Sequence, residues 1–125
     1  MPDRRVRGIR GAITVDRDDP EAIHEGTLTL VRAIMARNQV EPDQVVSAIF
    51  TATPDLRSAF PAPAARAAGW HEVPMLCATE LDVAGALPRC IRVLVHVERE
   101  NGAAEIEHVY LGSAAGLRPD LYHSG

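Results

Sequence analysis

The segment from Cys90 to Glu98 constrains this chain more than any other: Ile91, Val93, Val95 and Val97 recur at every second position, with Arg92, Leu94, His96 and Glu98 between them. A period of two belongs to a strand whose successive side chains point to opposite faces. One face of this strand is wholly apolar and has to be covered. The other carries Arg92 in the middle of the strongest apolar segment of the chain. The fold therefore needs a sheet with one well-buried side and a second side that tolerates a guanidinium.

The cover is supplied by the residues after Asp18. Asp18-Asp19-Pro20-Glu21 has an aspartate cap, a proline in the first turn and an acidic side chain near the positive end of the helix dipole. Ile23, Thr27, Leu30, Val31 and Ile34 follow at helical spacing, opposed by Glu25, Thr29, Arg32 and Arg37, and predict a long helix ending near Asn38. Val6 to Val15 reads as a strand with Ile9, Gly11, Ile13 and Val15 on one face and Gly8, Arg10, Ala12 and Thr14 on the other. Its glycines leave room for a close approach. Val45 to Thr53 is a β-branched, largely buried strand. Pro61 and Pro63 open a short helix to Ala68 with Gly69 as its left-handed stop.

Val73 to Cys77 is a short strand, and a turn or single helical turn is expected from Glu80 through Val83 to Leu87. Asn101-Gly102 is a turn signal that predicts a hairpin between the Cys90 strand and Ile106 to Leu111. Leu117 to Leu121 reads as a C-terminal arm. The order of elements gives one mixed α/β domain over residues 1–125, with a long and a short helix packed on one sheet face.

Composition narrows the function classes. The net charge of −4 argues against a nucleic-acid partner, because phosphate recognition needs a basic surface. The longest apolar runs fall short of a membrane span, so no membrane partner is expected and the location is read as cytoplasmic. Cys77 and Cys90 lack the paired spacing of a zinc site or a disulfide framework, so no metal is expected. There is no nucleophile elbow and no phosphate-cradling glycine loop, and the five histidines are scattered. Aromatic residues make up only 4%, so the core is built from Ala, Val, Leu and Ile, and further burial between subunits is favoured.

What remains is a set of polar groups beside strands and turns: Arg10, Arg66, Arg92 and Arg118, with Glu80 and Tyr110. Each has an ordinary structural reading. A strand arginine commonly snorkels at an edge or pairs with a carboxylate. Glu80 reads equally as a turn cap, Tyr110 as a half-buried hairpin residue, and Cys77 as core filling. Together they outline a candidate anion pocket.

Arg7-Gly8-Ile9-Arg10-Gly11-Ala12 resembles the opening strand of the small trimeric α/β chorismate mutases, a group unrelated in fold to the all-helical ones. Further resemblances follow in order: Thr53-Pro54-Asp55-Leu56, Ala59-Phe60-Pro61-Ala62, Gly69-Trp70, Val73-Pro74, Glu80-Leu81-Asp82-Val83, Cys90-Ile91-Arg92-Val93, His108-Val109-Tyr110-Leu111 and Leu117-Arg118-Pro119-Asp120-Leu121. They run nearly the length of the chain. The resemblance implies a mixed sheet with a long and a short helix, and a homotrimer forming a pseudo α/β barrel, with active sites in clefts between subunits. It implies conversion of chorismate to prephenate in phenylalanine and tyrosine biosynthesis, a concerted rearrangement that requires neither nucleophile nor cofactor.

By the same resemblance, Arg92 and Glu80 are the catalytic pair. Arg92 faces the ether oxygen that gains negative charge, and Glu80 accepts a hydrogen bond from the ring hydroxyl. Arg10, Arg66 and Arg118 meet the substrate's carboxylates, as does Tyr110, while Phe60, Cys77 and Leu117 shape the pocket. Pro63, Leu76 and a missing residue between Arg66 and Gly69 depart from the family pattern. Two other readings compete: a trimeric binding or regulatory module for small carboxylates without turnover, and acid/base catalysis on another shikimate-derived enol ether, for which Glu80 is the sole candidate base.

Overall fold

The computed structural model describes residues 4–116. The first strand is β1 (Arg4–Thr14), and the long helix α1 (Pro20–Asn38) begins at the expected cap, where the Asp19 carboxylate accepts from the Ala22 amide at 2.7 Å. That bond and a second one from Arg17 hold the Asp19 carboxyl below its ordinary range, the Ala22 amide being the larger cause. Strand β2 (Val45–Ala52), helix α2 (Ala62–Ala67) and strand β3 (Met75–Thr79) follow, then β4 (Cys90–Glu100) and β5 (Val109–Leu111). Short 3-10 turns occupy Pro42–Gln44 and Gly112–Gly116. Gly69, at φ 110°, ends the α2 segment as its sequence position predicts.

The five strands form one mixed sheet in the order β3-β2-β4-β1-β5. Strand β4, the element with the strictest alternation, lies at the centre and runs antiparallel to both β1 and β2. The pairings of β2 with β3 and of β1 with β5 are parallel. The observed α+β architecture, two helices on a mixed sheet, is the one the family resemblance implies.

The expected hairpin between β4 and β5 does not form. Both edges of β4 are already occupied, so residues 101–108 pass around β1 and deliver β5 to its far side. Polar contacts fix that route. The Asn38 side chain, at the buried end of α1, donates to the Glu107 carbonyl at 2.9 Å and accepts from the Glu107 amide at 2.7 Å. Arg99, 8% exposed, donates to the carbonyls of Asn38 and Ala104. The His108 ring nitrogen Nδ1 accepts from the Arg10 amide at 2.9 Å, continuing the β1–β5 contact beyond the last backbone pair. Residues 80–89 adopt turns without a helical turn.

The core lies between the helices and one face of the sheet. Ile9, Ile13, Ala48, Phe50, Ile91, Val93, Val95 and Val97 meet Ile23, Leu30, Val31 and Ile34 of α1. Gly11 explains the close seating of that helix: a β-carbon there would stand 2.6 Å from Ile34 Cδ1 and 3.1 Å from Leu30 Cδ1. The approach permitted by this glycine is made by the protein's own helix. Trp70, 1% exposed, packs against Phe50 with ring centroids 6.4 Å apart and donates its indole N–H to Met35 Sδ, closing the core beyond α2.

Among the described residues no α-helix covers the opposite face; the 3-10 turn Gly112–Gly116 covers only its Ala12, Cys90 and Tyr110 end, through Ala114. Arg10 pairs across to Leu94, Leu94 to Ile49, and Ile49 to Leu76, so three apolar side chains lie in a row across the open face, 38%, 39% and 69% exposed respectively.

Candidate active site

The open face also carries Arg10 and Arg92, two of the charged groups singled out in the sequence. Arg92 projects from β4 opposite the valine face, and its neighbour across the antiparallel ladder on β2 is Thr51. Glu80 lies immediately past the end of β3, where its amide donates to the Ala52 carbonyl at 2.9 Å and prolongs the β2–β3 pairing by one bond. Its Oε2 accepts from Arg92 Nε at 2.9 Å and from the Thr51 hydroxyl at 2.6 Å. Side-chain exposure is 39% for Arg92 and 16% for Glu80. An ion pair this open to solvent adds only about 0–1 kcal/mol to folding. Its consequence is geometric: Nε is engaged, and among the described residues the two terminal nitrogens of the guanidinium are left as donors for a ligand.

A hollow of about 430 Å³ opens beside this pair, lined by Arg10, Thr51, Arg92, Leu94, Ile49 and Tyr110 among others. Arg10 reaches it from β1 and is exposed, whereas Tyr110 stands on β5 and is 4% exposed. Strands β1, β4 and β5 thus place two guanidiniums and a phenol around one concavity, with the Glu80 carboxylate held against one of the guanidiniums. Planar guanidinium forks are suited to bidentate contact with carboxylates. Beneath the site, Cys90 packs with Ala12, Tyr110 and Ala114, and burial, moderated by Arg92, pushes its thiol up to about 11. It stays protonated at neutral pH and offers no thiolate nucleophile.

A second hollow, of about 390 Å³, lies at the ends of β2 and β3 under the segment Leu56 to Pro61, and holds Phe60 and Cys77. Cys77 pairs with Phe50 on β2, which puts it on the helix side of the sheet, across from Arg92. Phe60 is 74% exposed. Thr51 borders both hollows. Asp18 anchors the lip of the second one, its carboxylate accepting from the amides of Arg57 and Ser58 and from the Ser58 hydroxyl, which lowers its pKa, the hydroxyl being the largest cause.

This arrangement has counterparts among known proteins. Residues 6–121 match the family described as chorismate mutase type I. The chain belongs to the chorismate mutase type I family. It is 50% identical to the chorismate mutase AroH of Thermus thermophilus over 117 residues, covering 93% of this chain and 96% of that protein. Identity to the chorismate mutase AroH of Bacillus subtilis is 46% over 117 residues, 93% of this chain and 92% of the relative. A solved chorismate mutase from Clostridium thermocellum superposes with a TM-score of 0.81 at 42% identity, covering 86% of this chain and 96% of that one.

Within one chain, then, Arg10, Arg92, Glu80 and Tyr110 come together, whereas Phe60 and Cys77 form a separate group. Arg66, exposed on α2, lines neither hollow, and Leu117 and Arg118 lie outside the described residues. Of the departures from the family pattern, Pro63 is exposed on α2, and Leu76 extends the apolar row on the open face. Sequence reasoning passed over Thr51. Its signal was available in part, because alternation around the buried Phe50 puts Ile49 and Thr51 on the face away from the core. Only the strand register shows that this face meets Arg92.

Proposed function

We propose that this chain is a chorismate mutase, converting chorismate to prephenate as a cytoplasmic homotrimer with one domain per chain and its active sites between subunits. The observation that carries the reading is Arg92, held at Nε by Glu80 and set in a hollow with Arg10 and Tyr110. The rearrangement breaks the ether C–O bond as a new C–C bond forms, in one concerted step within the substrate. Negative charge grows on the ether oxygen, and a cation fixed there binds the transition state more tightly than the ground state. The Glu80 contact fixes the guanidinium ahead of the reaction, so little reorganisation is needed as the charge develops.

The remaining groups bind and orient. Arg10 and Tyr110 meet a substrate carboxylate, and confinement holds the enolpyruvyl arm over the ring. Glu80 keeps its second oxygen for the ring hydroxyl. Phe60, Cys77 and Arg66 lie away from Arg92 in their own chain, which favours their serving the site of a neighbouring chain. The row Leu76, Ile49 and Leu94 gives that neighbour an apolar surface to cover, and a barrel-like centre made from three open faces would bury it. Leu117 and Arg118 complete the proposed set.

Purified protein should consume chorismate, followed by loss of its ultraviolet absorbance, with prephenate as product, and should sediment as a trimer. Ligand binding by a folded trimer without product would establish the non-catalytic carboxylate-binding module instead.

A further inference from the structure

The exposed segment that carries Glu80 poses a problem for the site. Leu81 and Val83, immediately after it, are 86% and 60% exposed, and the backbone anchor at Glu80 is a single bond to Ala52. Nothing in that backbone fixes the direction of a flexible carboxylate side chain, yet Arg92 depends on it. The Thr51 hydroxyl is the other donor to the same oxygen, 2.6 Å from Oε2.

We propose that Thr51 is a positioning residue for the rearrangement: its hydroxyl holds Glu80 Oε2 where Arg92 Nε meets it, and so sets the aim of the guanidinium. This rests on the mutase reading of the site. Three features support it. Thr51 is the direct cross-strand partner of Arg92, so the two side chains leave the sheet side by side. It is β-branched and lies within a paired strand, so its χ1 is restricted and the hydroxyl is presented in a narrow range of directions. Finally, Oε2 accepts both bonds, which leaves Oε1 for a ligand and fixes the carboxylate from two sides. Bonds from hydroxyls and guanidiniums to a carboxylate are charge-assisted and stronger than neutral ones.

The test compares Thr51→Val, Thr51→Ala and Thr51→Ser with the wild type in steady-state turnover and thermal melting. Valine keeps the β-branched shape and removes the donor; alanine removes it without placing a methyl against the carboxylate; serine retains the donor. Valine and alanine should each lower kcat about 10-fold with KM within about twofold, while serine stays near wild type. A crystal structure of Thr51→Val should show the Glu80 carboxylate displaced from Arg92 Nε. Wild-type kcat in Thr51→Val or Thr51→Ala overturns the proposal, as does an undisturbed Glu80–Arg92 contact in the variant. A loss that serine shares equally, tracking a lowered melting temperature, also overturns it, since it marks a packing role. Wild-type turnover is measured alongside and tests the mutase reading separately.

Discussion

The two faces of the central sheet are built from alternate residues of the same strands, and they are finished in different ways. On one face Val93, Val95 and Val97 are 4% exposed or less, covered by α1, and Gly11 lets that helix sit against the backbone. On the other, among the described residues, Arg92, Leu94 and His96 stand without an α-helix over them, and Leu94, Ile49 and Leu76 remain open. One face is completed by its own chain. The second combines an unpaired apolar row with a cluster of charges around a hollow, which is how a surface looks when stability has been settled elsewhere and ligand and partner contacts remain to be made. The lesson is that a period of two separates the face that buries the core from the face on which Arg92 and the proposed chemistry lie.

That separation can be broken experimentally. Leu30→Ala, which empties part of the covered face, should cost about 2–5 kcal/mol of stability. Thermal or denaturant unfolding would show the loss, while turnover per folded chain stays at the wild-type level. Arg92→Lys should do the reverse: lysine lacks the planar fork, and kcat should fall by the equivalent of about 3 kcal/mol with little change in substrate binding or melting temperature. If the arginine variant unfolds, or the leucine variant folds but is inactive, the division between faces is wrong.

The smallest effect on the folding of a single chain is expected for Leu94→Asp, within about 0.5 kcal/mol for an exposed position. Its effect on assembly should be large. Sedimentation should reveal smaller species for the variant than for the wild type, for which a trimer is proposed; an unchanged oligomer would remove the open face from the proposed interface.

Much of this could be read along the chain because it depends on near neighbours. The alternation in β4 fixed the two faces, the Asp19 cap and Pro20 fixed the start of α1, and Gly69 fixed the stop after α2. Arg92 stood out for the same reason: a charge within an apolar strand is visible without any knowledge of its partners. The failed hairpin marks the boundary of that kind of reading. Asn101-Gly102 is a sound turn signal, and a turn does form there. Whether β5 then pairs with β4 depends on β1 and β2 having already occupied both β4 edges, a fact spread across residues nearly a hundred positions apart.

By itself, then, the sequence determined the helix and strand identities, the buried face, and the inventory of arginines, carboxylate and phenol, since periodicity, caps and turn residues act over a few positions. Tertiary structure decided the strand order, the route of residues 101–108 through Asn38 and Arg99, the separation of Cys77 and Phe60 from Arg92, and the linkage of Thr51, Glu80 and Arg92. These are matters of register and of hydrogen bonds between distant segments. A threonine on β2 looks the same in sequence whether it faces water or the Glu80 carboxylate; only the pairing of strands tells them apart.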